Sequence, residues 1–170
     1  MTNQLDSMLL PSTPGIPTTA QPRCSDFAGV FRTLARQHAE AGALCQLLAC
    51  DLSKRYELWP TLRRELLSHE WAEMRVVYPA LQRLAETREL ASEHDTDAGA
   101  MERLITQLDR EVNDDHWGTN FQRLARAVET HVRLEEDEIF PQAQRALGGD
   151  ATAAMDARLI ATKQELARDL

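Results

Sequence analysis

The 170-residue chain predicts an all-α fold: an up-down-up-down antiparallel four-helix bundle with an extended N-terminal arm and a short fifth helix at the C-terminus. Three observations carry that expectation. From Ser25 onward Ala, Leu, Arg, Glu and Gln dominate, all strong helix formers, and alternating β-branched runs are missing. Four long segments repeat apolar residues at helical spacing. Short polar breaks separate them, and short connections between long helices favour antiparallel neighbours.

The elements follow in order. Residues 1–24 read as the arm, because Pro11, Pro14, Pro17 and Pro22 each remove a backbone donor and fix φ. Residues 25–170 read as one bundle domain. Its first helix runs roughly from Asp26 to Asp51, with an apolar stripe through Val30, Phe31, Leu34, Ala41, Cys45 and Leu48. The second is expected to begin near Pro60, a good first helical residue, and carries Leu62, Leu66, Val76 and Val77. The third holds Leu90, Met101, Leu104, Ile105 and Leu108, before Asn113-Asp114-Asp115 breaks the pattern. Phe121, Leu124, Val128, Leu134 and Ile139 mark the fourth. Gly148-Gly149-Asp150 supplies a stop and an N-cap, and the short fifth helix spans about Ala151 to Ala167.

Composition excludes several classes. With 43% hydrophobic and 27% charged residues, the chain suits one domain with a real core. No apolar run approaches 18 residues, so no membrane span is expected. The first 20 residues lack the basic and apolar regions of a secretory signal. Three Cys, none in a CxxC spacing, fit a reducing cytoplasm. A net charge of -8, with Lys54 and Lys163 the only lysines, argues against nucleic-acid binding.

The histidines are more informative. Four of the five lie on the apolar stripes, one per long helix: His38, His69, His94 and His131. A lone inward His is usually a hydrogen-bonded core residue, but four at one per helix call for a common cause. Two bring a carboxylate at i,i+4, His69 with Glu73 and His131 with Glu135, which stacks imidazole and carboxylate on one helical face. A buried carboxylate without a cationic partner is very costly. A metal supplies the cation; a plain Glu–His hydrogen bond at the bundle rim is the simpler alternative.

The two pairs sit in a longer repeat. His69-x3-Glu73-x4-Tyr78-Pro79 and His131-x3-Glu135-x4-Phe140-Pro141 share one spacing, and Gln82-Arg83 recurs as Gln144-Arg145. The second and fourth helices therefore look like halves of a pseudo-twofold site. Each aromatic-Pro step is expected to kink its helix one turn past the Glu. Ligands at a common depth place the interhelical turns near Lys54-Arg55, Gln82-Arg83 and Asn113-Asp114-Asp115. The middle position carries no strong turn signal.

The candidate ligand set is His38, His69, Glu73, His94, His131 and Glu135. A mixed nitrogen and oxygen shell suits iron, with manganese or zinc as alternatives. Six ligands exceed one four-coordinate metal and suit two metals about 3.5–4 Å apart, bridged by the carboxylates.

These residues resemble the hemerythrin-like proteins of the HHE cation-binding family, over about residues 25 to 147. The resemblance rests on the order His38, His69-x3-Glu73-x4-Tyr78-Pro79, His94, His131-x3-Glu135-x4-Phe140-Pro141. It implies an up-down bundle around two non-haem iron ions, with the four His as ligands and Glu73 and Glu135 as bridges. The chain departs from the oxygen-carrying branch in two places. Ala98 stands where that branch has a second third-helix His, and the fourth helix offers Glu135 in place of its Asp. The missing His opens a coordination position, which points to reaction with, or sensing of, O2, peroxide or NO rather than reversible O2 carriage. The iron–sulfur repair branch carries an N-terminal domain with a Cys pair, which the Pro-rich arm does not resemble. Ferritin-like di-iron oxidases use paired ExxH, which does not occur here.

Other residues are set outside the ligand set. His116, near the start of the fourth helix, lies about 22 Å from His131 along the axis and reads as a surface residue. Glu70 and Glu136, next to His69 and Glu135, are expected to point off the ligand face, with Glu70 a secondary candidate ligand. Cys45 reads as a small core residue, with a redox role as the sharper alternative. Asp97 reads as a surface residue. Three readings from different classes remain: a di-iron protein acting on a small diatomic or peroxide ligand, a non-enzymatic metal-responsive protein acting through partner contacts, and a purely structural bundle. A homo-oligomer is compatible with each.

Overall fold

The computed structural model describes residues 24–170, except the side chains at 93 and 95–97. The Pro-rich arm therefore lies outside the described residues up to Cys24, which opens a 3₁₀ turn, Cys24–Asp26. The surface reading of Asp97 also lies outside them. Among the described residues every regular element is helical. None of these helices is long and apolar enough to cross a membrane.

The long helices are α1 (Gly29–Cys50), α2 (Arg55–Val76), α4 (Arg88–Arg110) and α5 (Trp117–Leu134). Short α3 (Tyr78–Leu81) continues α2, and α6 (Phe140–Leu147) continues α5 through a π-helical turn, Glu135–Ile139. α1 packs on α2 and α5, and α4 packs on α5 and α2, which closes a four-helix ring. α7 (Gly149–Leu166) lies against α1 and α2.

Two expectations are corrected. α2 starts at Arg55, so Pro60 is its sixth residue rather than its first. Its missing N–H leaves the Tyr56 carbonyl without an i+4 donor, on a residue 58% exposed, where solvent can serve instead. α7 is 18 residues long, equal to α5, and is not a short appendix. Its N-cap is Gly148, at φ +77°, while Asp150 sits in the first turn. The turn after α3 falls at residues 82–87, where the sequence signal was weakest. Tertiary hydrogen bonds hold it: Thr87 Oγ1 donates to the Leu81 carbonyl at 2.7 Å and Arg88 Nε to that of Gln82 at 3.1 Å.

Two apolar clusters fill the interior. One gathers Phe31, Leu34, Val76, Leu81, Ala91, Ile139 and Phe140. The other gathers Leu48, Trp59, Leu62, Ile105, Leu108, Trp117, Phe121 and Leu124. Along each long helix a His lies between the two sets, so a polar layer separates them. Apolar packing on both sides fixes the rotamers and the depth of that layer.

Candidate metal centre

His38, His69, His94 and His131 are all buried, each on a different long helix, as are Glu70, Glu73 and Glu135. Their facing atoms form two overlapping groups. His38, His69, Glu73 and Glu135 make one; Glu70, Glu73, His94 and His131 make the other, with ligand atoms in each within 4.8 Å of one another. Glu135 Oε2 lies 3.0 Å from His38 Nε2 and 3.5 Å from His131 Nε2, and its Oε1 lies 3.0 Å from His94 Nε2. Glu73 Oε2 is 3.7 Å from His69 Nε2. Glu70 spans 3.5 Å to His94 Nε2 and 3.2 Å to His131 Nε2.

Unmet polar capacity tests whether these residues suit a cation. All four Nε2 atoms are buried without a hydrogen-bond partner, and so are Glu70 Oε1, both Glu73 oxygens and Glu135 Oε2. Such orphans are rare and costly in a native interior, and here they converge on one place. Metal coordination would satisfy them together. The electrostatics show the same frustration. Burial, reinforced by Glu135 and Glu70, holds the Glu73 carboxyl well above the usual carboxylate range. Burial also acts to raise Glu135, but the His131 charge and contacts from His38 and His94 carry it well below that range. Burial, then the His38 charge, depresses His69. For His38 the burial penalty is outweighed by Glu135 and Glu136, which push it up to about 9.

A family model for the hemerythrin HHE cation-binding domain matches residues 29–143. The chain belongs to the hemerythrin HHE family. No curated protein and no solved structure matches it significantly.

The structure also shows what orients the side chains of this hemerythrin-like centre. His38 Nδ1 is 2.9 Å from Glu136 Oε1, and His69 Nδ1 is 2.9 Å from Gln37 Oε1. Donation from Nδ1 in each pair leaves Nε2 as the free, ligand-competent nitrogen. Tyr78 donates from its hydroxyl to Glu135 Oε1 at 2.6 Å, and its ring stacks on His94 at 3.8 Å. Phe140, its counterpart in the repeat, stacks on His38 at 5.7 Å.

Glu70 and Glu136 overturn an expectation: both turn inward. In a four-helix ring the buried face of α2 is wide enough to include Glu70 with its i+3 neighbour Glu73. The π-turn adds a residue to one turn of the fourth helix, which brings Glu136 inside with Glu135. The HExxE run beginning at His69 was the available sequence signal for Glu70. Gln37 and the Tyr78 hydroxyl carried no local signal. His116 is exposed at the N-cap of α5. Cys45 packs in the second apolar cluster, where burial pushes its thiol up to about 12 and opposes a thiolate role.

A cavity of about 30 Å³ touches the centre at His38, His69, Glu70 and His131. Leu66, Met101, Ile105 and Val128 give it an apolar wall, and Ala98 lines it together with Glu70.

Proposed function

We propose that this protein binds two non-haem iron ions, carboxylate-bridged, and that the pair binds or reacts with O2, peroxide or NO in sensing or detoxification. The observation that carries the reading is the convergence of eight unpartnered buried atoms, four imidazole nitrogens and four carboxylate oxygens, in two groups sharing Glu73. Glu70 joins His38, His69, Glu73, His94, His131 and Glu135 in this reading. Manganese or zinc fits the same donors, but the mixed shell favours iron. When bound, the metals would supply redox and Lewis-acid chemistry. The chain's residues hold His38 and His69 in one tautomer, exclude bulk water through the apolar clusters, and leave a cavity about the size of one or two waters or a diatomic molecule.

The order of the two apolar clusters supports an alternating helix course. α1 and α4 pass from the Phe31 cluster to the Leu48 cluster, while α2 and α5 pass the other way. The second reading is metal binding that alters partner contacts without turnover.

Metal analysis with aerobic and anaerobic spectra tests the proposal. It expects about two irons per chain, ligand-to-metal absorption in the near ultraviolet, and spectral changes on adding peroxide or NO. A colourless, iron-free protein after expression in iron-replete medium would remove it. Two irons with no response to either ligand would select the second reading.

A further inference from the structure

The sequence repeat makes Glu73 and Glu135 equivalent; the structure does not. Both Glu73 oxygens are buried and unpartnered, whereas only Oε2 of Glu135 is. Glu135 Oε1 instead accepts the Tyr78 hydroxyl at 2.6 Å, a short charge-assisted bond between buried groups. Tyr78 is 1% exposed and its ring lies almost parallel to His94, at 20°, so the phenol has little freedom to leave. The repeat counterpart Phe140 makes the corresponding stack on His38 but has no hydroxyl. The device exists on one side only.

We propose that Tyr78 is a positioning residue that makes the two carboxylates unequal, holding Oε1 of Glu135 so that this carboxylate serves the His38–His69 group through Oε2 and leaves Glu73 as the one strong bridge. The inference rests on the two-metal reading above. Glu135 also faces the other group, with Oε1 3.0 Å from His94 Nε2 and Oε2 3.5 Å from His131 Nε2, but Oε2 is nearer His38 Nε2, at 3.0 Å, and a lone pair committed to the phenol makes Oε1 a weaker metal donor. Glu70 compensates. It lies 3.5 Å from His94 Nε2 and 3.2 Å from His131 Nε2, and it has no counterpart in the repeat, where Val132 takes the matching position. Each group then has two imidazoles, a share of Glu73 and one carboxylate of its own: Glu135 on one side, Glu70 on the other.

Titration of the metal-free full-length chain with Co(II), followed by visible absorption and by metal content after desalting, tests this. The wild type should bind two ions with separable affinities. Tyr78→Phe keeps the stack on His94 and frees Oε1. With its lone pair released, Oε1 should tighten the weaker ion by roughly tenfold, the equivalent of one net hydrogen bond, and shift its absorption bands. Glu70→Gln should weaken that same ion by a similar factor and spare the other. Adding Tyr78→Phe to Glu70→Gln should recover part of the loss. A merely structural Tyr78 predicts weaker binding of both ions or no change, and either result overturns the proposal. If Tyr78→Phe fails to fold, Glu70→Gln still decides: loss of both ions, or of neither, overturns it. Failure of the wild type to bind any metal would instead remove the two-metal reading.

Discussion

Glu136 Oε1 sits 2.9 Å from His38 Nδ1, a contact between residues 98 apart in the chain. It exists because the fourth helix takes a π-turn at Glu135–Ile139, which turns two successive carboxylates into the bundle. One anchors the imidazole; the other faces its opposite nitrogen. Glu136→Ala should leave His38 free to rotate and lower metal affinity in the His38–His69 group by about 10- to 100-fold. Metal titration checks it, with His116→Ala as the exposed control that should change nothing.

Removing metal should destabilise the protein, because the converging carboxylates lose their cation. At a free metal concentration 100 times Kd, binding stabilises the fold by about 2.7 kcal/mol. Thermal unfolding with and without a chelator should show the difference. Glu73→Leu removes a carboxyl that burial already disfavours as an anion. The metal-free variant should match or exceed the metal-free wild type, by about 1 kcal/mol, and should lose the response to metal.

Gly29 carries φ +53°, and a Cβ there would meet the Thr152 carbonyl carbon at 2.7 Å. Both the backbone conformation and the close approach of α7 to the start of α1 require glycine. Gly29→Ala should cost about 2–4 kcal/mol, combining left-handed strain with a clash against backbone. Denaturant unfolding of the metal-free protein measures it. An unchanged midpoint would show that α7 can shift freely.

Cys45 provides a pH test away from the ligands. Burial raises its thiol from 9.0 to about 12, so the folded state keeps the proton where the unfolded state has lost it. Its contribution therefore favours folding less and less as pH rises above about 9, levelling beyond 12. Alkylation at pH 8 followed by peptide mass spectrometry should label exposed Cys50 and leave Cys45 unmodified until the chain unfolds. Cys45→Ala should flatten the stability profile between pH 9 and 11.

The inward position of the four histidines was legible in the sequence. His38, His69, His94 and His131 each occupy an apolar stripe, and helical periodicity alone carries such a residue inward. The HxxxE spacing placed Glu73 and Glu135 beside His69 and His131 for the same reason. Breaks at Asn113-Asp114-Asp115 and at Gly148 were readable because their chemistry is local. The turn at residues 82–87 carried no such local signal, since its hydrogen bonds use ordinary helix-compatible residues, and only the common depth of the candidate ligands placed it near Gln82-Arg83.

By itself, then, the sequence determined the helical class and the inward position of His38, His69, His94 and His131, which arise from periodicity within single helices, and the order of motifs along the chain that marks the family. Only the tertiary structure decided that Glu70 and Glu136 turn inward, that Gln37 aligns His69, and that Tyr78 holds one oxygen of Glu135. Those facts depend on the width of a buried face, on a π-turn that rotates the residues beyond it, and on contacts between helices. A spacing rule for one helix contains none of these quantities.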